Sequence, residues 1–94
     1  MPFLEIRFEW EETNETKLLS RHGVTAAEAE ECFFNRPSVR RKEGQYLMLG
    51  RTDGGRLLFL VFERKSRGVV RIFSAREMTE GERAAFRRDE RGRT

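Results

Sequence analysis

Three strand-length runs, Tyr46 to Arg51, Arg56 to Arg64 and Val69 to Ala75, follow one another with only short, glycine-bearing connectors between them. The connectors, Asp53-Gly54-Gly55 and Ser66-Arg67-Gly68, hold the residues that hairpin turns prefer, since glycine enters left-handed backbone without a steric penalty. A chain punctuated this way is steered toward an antiparallel meander. Within it Leu57-Leu-Phe-Leu-Val-Phe62 is apolar without alternation, which predicts a central strand covered on both faces.

The flanking segments supply helices. Residues 3–10 alternate Leu4, Ile6, Phe8 and Trp10 with Glu5, Arg7 and Glu9, the period of two of a half-buried strand. Residues 11–22 then carry Leu18 and His22 four apart and stop at Gly23, a common helix terminator. Thr25-Ala-Ala-Glu28 is a capping box that opens a second helix with Ala26, Ala29, Cys32 and Phe33 on one face, ended by Asn35-Arg36-Pro37. Ser38 to Gln45 is expected to be a polar connection. Thr79-Glu-Gly-Glu82 repeats the capping-box pattern and starts a last helix through about Arg88, with residues 91–94 as a frayed tail. The expected order is β-α-α-β-β-β-α, an α+β domain with a largely antiparallel sheet.

With 94 residues there is room for one domain, and 37% apolar content makes its core thin. No run approaches the roughly 18 apolar residues that span a bilayer. The opening Met-Pro-Phe-Leu-Glu lacks the layout of a secretory signal, and Cys32 has no partner for an internal disulfide, so cytoplasmic residence is expected. The net charge of +3 conceals a segregation: residues 1–35 hold eight acids and three bases, leaving sixteen bases and eight acids in residues 36–94. A dipolar molecule with one face suited to polyanions follows.

The residue inventory excludes much chemistry. One cysteine and one histidine cannot make a zinc site of usual composition, and there is no phosphate-binding P-loop, dinucleotide fingerprint or nucleophile elbow. No Asp-rich cluster ends an apolar strand, so two-metal nuclease chemistry has little support, and no cofactor is expected. What remains is metal-free work on RNA, which carries its own nucleophile in the 2′-hydroxyl; the protein need only orient it, move a proton and neutralise charge on phosphorus. Arg71 and Arg76, on or just past the last strand, are candidates for the charge, because guanidinium forks match phosphate oxygens. His22 and Tyr46 are candidates for proton transfer. Arg40, Arg41, Lys42 and Arg51 are candidates to hold the RNA backbone. Each has a plainer alternative: His22 as a cap on its own helix, Tyr46 as a packed aromatic, the basic run as a solvated face, Arg71 as the partner of a glutamate. Trp10 is expected in the core, and the Phe33-Phe34 pair in the core or at a partner surface.

The pattern Phe8-Glu-Trp10-Glu, then Arg21-His22-Gly23-Val24-Thr25, Glu28 and Cys32-Phe33-Phe34-Asn35, resembles the BrnT family of ribonuclease toxins. So do the Leu57-Leu58 strand and the ending Arg71-Ile72-Phe73-Ser74-Ala75-Arg76 with Glu82-Arg83. The likeness spans roughly residues 8–88. It implies a RelE-like fold, an RNA-cutting toxin that halts translation, and a cognate antitoxin, usually with a ribbon-helix-helix DNA-binding domain. The family's Trp, His and final Arg fall on Trp10, His22 and Arg76. Where the family's pattern has a lysine and an asparagine along the first helix, this chain has Asn14 and Leu18, and Glu11 replaces an aspartate. Lys17 sits at a different angle on that helix and is no obvious substitute for the lysine. Asn14 and Leu18 favour a second reading, a degenerate toxin that only binds its antitoxin; a third is a stand-alone RNA- or ribosome-binding protein.

Overall fold

The computed structural model describes residues 6–92. In chain order it contains β1 (Arg7–Glu9), α1 (Glu12–His22), α2 (Ala26–Glu31) running into a 3₁₀ turn (Cys32–Phe34), β2 (Ser38–Lys42), β3 (Gln45–Arg51), β4 (Leu57–Ser66), β5 (Val69–Glu77) and α3 (Glu80–Gly92). The sheet has the order β1-β5-β4-β3-β2. Strands β2 to β5 pair antiparallel in sequence, and β1 alone joins in parallel, on β5. The expected α+β domain with a mostly antiparallel sheet is what forms, and the apolar run of β4 lies at its centre.

The structure corrects the expected bounds of three elements. The segment expected as a polar connection, residues 38–45, is instead the strand β2 and a hairpin into β3. Its turn is Glu43-Gly44, both with left-handed backbone (φ 49° and 81°), the geometry of a two-residue hairpin loop. All of β2 except Ser38 is exposed, so it carries charge where an inner strand carries an apolar alternation, and that charge guards a bare sheet edge. Secondly, the strand expected over residues 3–10 is short, Arg7–Glu9, with positions 3–5 outside the described residues. Thirdly, α3 does not stop near Arg88 but continues to Gly92, and positions 93–94 lie outside the described residues. Its last turns are held by Arg51 on Glu90 at 3.1 Å and by the Ser38 hydroxyl donating to Asp89.

Alternation along the strands sends Leu58, Leu60, Phe62, Met48, Val70, Ile72 and Ala75 to one face, where Leu18, Val24, Ala29 and Cys32 from α1, α2 and the 3₁₀ turn complete the core. Phe33 packs edge-on against Phe8 and Phe62 at 5.0 and 4.8 Å, whereas Phe34 is 63% exposed, so the pair divides between core and surface. Trp10 is half-buried against the core and its indole N–H donates to Glu30 at 2.7 Å. The other face carries α3, anchored by the buried Phe86 beneath the Arg51 guanidinium. Cover there is incomplete: Leu57, Phe59 and Val61 stay half-buried, unlike the full burial expected of a central strand.

Two close fits lock the helical layer. Gly50 lies under Cys32, where an added Cβ would meet the Cys32 Cβ at 2.8 Å. Burial pushes the Cys32 thiol up to about 12, so it is inert as a nucleophile at neutral pH. The second fit is Arg56 at the threshold of β4. Its Nη1 donates to the Gly23 carbonyl at 2.8 Å and to the Glu28 carboxylate, its Nη2 donates to the His22 carbonyl at 3.2 Å, and its Nε donates to Glu77 at 3.1 Å. The end of α1, the start of α2 and the end of β5 are thereby tied to one side chain.

Gly50→Ala should destabilise the fold by about 1–3 kcal/mol in urea titration, from overpacking. Cys32→Ala should fail to rescue it, since the obstructing atom is the Cβ itself. Replacing Arg56 with Met should cost about 1–3 kcal/mol, the range for charge-assisted hydrogen bonds at a partly exposed site. Amide exchange should speed up first at Gly23, Val24 and Thr25.

Candidate active site

Arg71 and Arg76 are five residues apart, an odd spacing that places side chains on opposite faces of a regular strand. In β5 they share a face. Val61 stands opposite Ser74 and Phe62 opposite Ile72, so Phe73 is an extra residue in the β4–β5 ladder. This bulge shifts the alternation by one and brings Arg71, Ser74 and Arg76 to the same side, the one facing α3. Helix α1 runs beside this stretch, because β1 delivers the chain to the edge of β5 near Arg71 and Arg56 fastens the far end near Glu77.

Both arginines are partnered. The Arg76 guanidinium lies 4.4 Å from the centre of the Phe59 ring and grips Glu82 with both terminal nitrogens, at 2.8 and 3.0 Å. Glu82 also accepts from the Thr79 backbone N–H, and the Thr79 hydroxyl accepts from the Glu82 N–H, so the predicted capping box at the head of α3 and the arginine clamp are one structure. The Arg76 guanidinium first, then the Thr79 N–H, hold the Glu82 carboxyl below its ordinary range against an opposing burial effect. Arg71 pairs with Glu11 at 3.2 Å and approaches Glu9 at 3.9 Å, while its buried Nε has no hydrogen-bond partner.

His22 is differently placed. It is exposed and lines a small pocket of about 100 Å³ with Asn14, Lys17, Leu18, Arg21, Phe73 and Ser74. Ser74 lies between the two arginines on their shared face, so the imidazole flanks the same stretch of β5. It does not cap its own helix. The last carbonyls of α1 receive the Gly23 and Val24 N–H groups, in a left-handed glycine stop, and the Arg56 guanidinium. Lys17 shares the pocket with Asn14, so the angular offset between them does not separate them.

The remaining candidates lie elsewhere. Tyr46 stacks on Phe62 at 5.2 Å on the core face, with Arg41 6.0 Å from its ring centre, across the sheet from Arg76. Arg51 is engaged with Glu90 and Phe86. Arg40 lines a groove of about 370 Å³ between β2, β3 and α3, floored by Leu47, Leu49 and Phe59. Arg41 and Lys42 adjoin it at the exposed hairpin. Among the described residues no group of three or more His, Cys, Asp or Glu side chains is placed to hold a metal ion. Among them, too, no helix is long and apolar enough to cross a membrane.

Sequence reasoning did not reach the pairing of Arg76 with Glu82, nor Arg56, Arg21 and Ser74 as parts of this seam. One signal was available for α1: residues 14, 17, 18, 21 and 22 follow the spacing of a single helix face.

Comparison with known proteins now identifies the lineage. Residues 10–82 match the family described as the ribonuclease toxin BrnT of type II toxin–antitoxin systems. The chain belongs to the BrnT family. The crystal structure of the Brucella abortus ribonuclease toxin BrnT has the same fold, with a TM-score of 0.67 at 17% identity over 80% of this chain and 99% of that one. No curated protein sequence matches the chain. The matched segment takes in Trp10, His22, Arg71, Arg76 and Glu82, the span that builds the α1–β5 seam. Membership in a type II family implies an antitoxin as partner.

Glu82→Gln should lower stability at neutral pH by about 1–2 kcal/mol, since two charge-assisted bonds and a helix cap weaken together at a partly exposed site. Because the native carboxyl titrates below its ordinary 4.5, its contribution is present above that value and fades as pH falls beneath it. The gap between variant and parent, read from urea unfolding across pH 7 to 3, should close on the acid side.

Proposed function

We propose that this chain is an endoribonuclease toxin that cleaves RNA without a metal, by attack of the 2′-hydroxyl on the adjacent phosphorus. The 2′-oxygen bonds to phosphorus, the 5′-oxygen leaves, and the products carry a 2′,3′-cyclic phosphate and a 5′-hydroxyl. A proton must leave the 2′-oxygen and another must reach the 5′-oxygen. His22 serves one of these transfers, since imidazole can both take and give a proton. Arg76 and Arg71 face the charge that builds on the phosphoryl oxygens. In the free protein they are held by Glu82 and Glu11, so substrate phosphate competes with carboxylate for the same forks. Arg40 and Lys42, with Arg41 beside them, supply a basic margin for the flanking backbone; Tyr46, stacked on Phe62 on the core face, and Arg51, engaged with Glu90, are left out of this assignment.

The observation that carries the reading is the bulge at Phe73, which gathers Arg71, Ser74 and Arg76 on one face, with Ser74 also lining the pocket of the uncapped His22. Family membership gives it context. A cognate antitoxin, with a ribbon-helix-helix domain that represses the shared operon, would cover the toxin in the cytoplasm. A second reading, an antitoxin-binding module without cleavage, is favoured by the two glutamate pairs and by Asn14 and Leu18.

Purified protein incubated with RNA in EDTA should yield cyclic-phosphate ends, and 2′-O-methyl RNA should resist. Arg76→Ala should lose about 10²–10³ in rate, as for other lost oxyanion donors, with an unchanged circular dichroism spectrum. Induced expression should arrest growth, and His22→Ala should relieve the arrest. Intact RNA and normal growth with the parent chain would decide for the binding module.

A further inference from the structure

The stripe of α1 that faces β5 has the spacing of a core-facing stripe, i, i+3, i+4, i+7, i+8, but only Leu18 fills it with an apolar side chain. The other places hold Asn14, Lys17, Arg21 and His22, and across the pocket stands Ser74. None of the ion pairs or side-chain hydrogen bonds among the described residues engages the side chains of Lys17, Arg21, His22, Asn14 or Ser74. This contrasts with Arg51, Arg56, Arg71 and Arg76, each set against a glutamate. Lys17 and Arg21 are like charges four residues apart, an arrangement that opposes the helix unless an anion lies between them.

The helix terminus does not compete for these cations. A lysine, arginine or histidine in a last turn ordinarily answers the exposed carbonyls, yet here Gly23, Val24 and Arg56 already do so. Arg56 also offsets the negative end of the helix, which otherwise disfavours an anion nearby. The side chains of Arg21 and His22 are thus left facing the pocket.

We propose that this pocket seats a backbone phosphate of RNA, with the Lys17 ammonium and the Arg21 guanidinium as its charged contacts and the Ser74 hydroxyl and Asn14 amide as neutral donors. The proposal rests on the ribonuclease reading and adds a binding site to it. Lys17 takes the work of a cation at a place on the helix where the BrnT pattern does not have one, one turn on from Asn14. The pocket's position beside His22 puts the held phosphate next to the group that moves the proton.

The test uses the full chain labelled with ¹⁵N and two probes, a 2′-O-methyl RNA tetranucleotide and inorganic phosphate. The RNA probe should shift the signals of Asn14, Lys17, Arg21, His22 and Ser74. Its affinity, followed from about 50 to about 200 mM salt, should lose about 0.7 from the log–log slope in Lys17→Ala, the share of one single-strand phosphate contact. Lys17→Arg should restore that slope. RNA shifts that avoid the pocket, or a Lys17→Ala slope equal to the parent's, overturn the proposal. So does a pocket that answers inorganic phosphate but not RNA, which makes it a free-phosphate site. Because the methylated probe cannot be cleaved, this result stands apart from whether the protein cuts RNA.

Discussion

One guanidinium, that of Arg56, determines how the helical layer meets the sheet. It takes up two carbonyls at the end of α1, the carboxylate that caps α2, and Glu77 at the end of β5. The Glu28 carboxyl is held below its ordinary range first by the Thr25 backbone N–H, with Arg56 adding to the effect against burial. Cap and clasp therefore share one charge. A small domain with a thin core gains from such a knot, because three chain ends are ordered by one side chain and the entropy of fixing it is spent only once. The consequence for function is geometric: α1 is held along β5, and its carbonyls are satisfied without drawing on its own basic residues.

The bulge in β5 is the second constraint. A regular strand would have sent Arg71 and Arg76 to opposite faces, one into the helical core and one toward α3. Burying either guanidinium among Leu60, Phe62 and Ile72 would carry a desolvation cost that no carboxylate there could offset. The extra residue at Phe73 resolves the conflict. It keeps Val70, Ile72 and Ala75 in the core and turns both arginines outward, where Glu11 and Glu82 reach them.

Most of the fold was legible because it is written in short-range chemistry. Two hairpin turns, two capping boxes and a glycine stop each specify local backbone, and all five form where the residues place them. The strand β2 was hidden because an edge strand need not alternate: Val39-Arg40-Arg41-Lys42 has charge where a buried strand has side chains to pack. Its turn, Glu43-Gly44, resembles a loop once the flanking strand goes unseen. The site was less legible than the fold. His22, Arg71 and Arg76 stand out as residue types, but which of them shares a face depends on the bulge, and a bulge arises from cross-strand register rather than from local sequence. The partner of Arg76 was in view as half of a capping box, with nothing local to show that the same carboxylate would serve both.

Among the described residues, the cations around the α1–β5 seam and the arginines that brace the sheet differ in what faces them. Arg51, Arg56, Arg71 and Arg76 each meet a glutamate, and the first two tie α3 and the helical layer to the sheet. Lys17, Arg21 and His22 meet none, although eight acids lie among the first 35 residues. Acids are not scarce near α1; Glu12 and Glu15 sit on the helix itself, in its first turn, where the helix dipole favours them. Their placement at the opposite end from Arg21 and His22 serves the helix and leaves the basic end unneutralised. A modest net charge therefore says little about affinity for a polyanion. What an incoming phosphate meets without competition is the unpaired group, whereas at Arg71 and Arg76 it must displace Glu11 and Glu82.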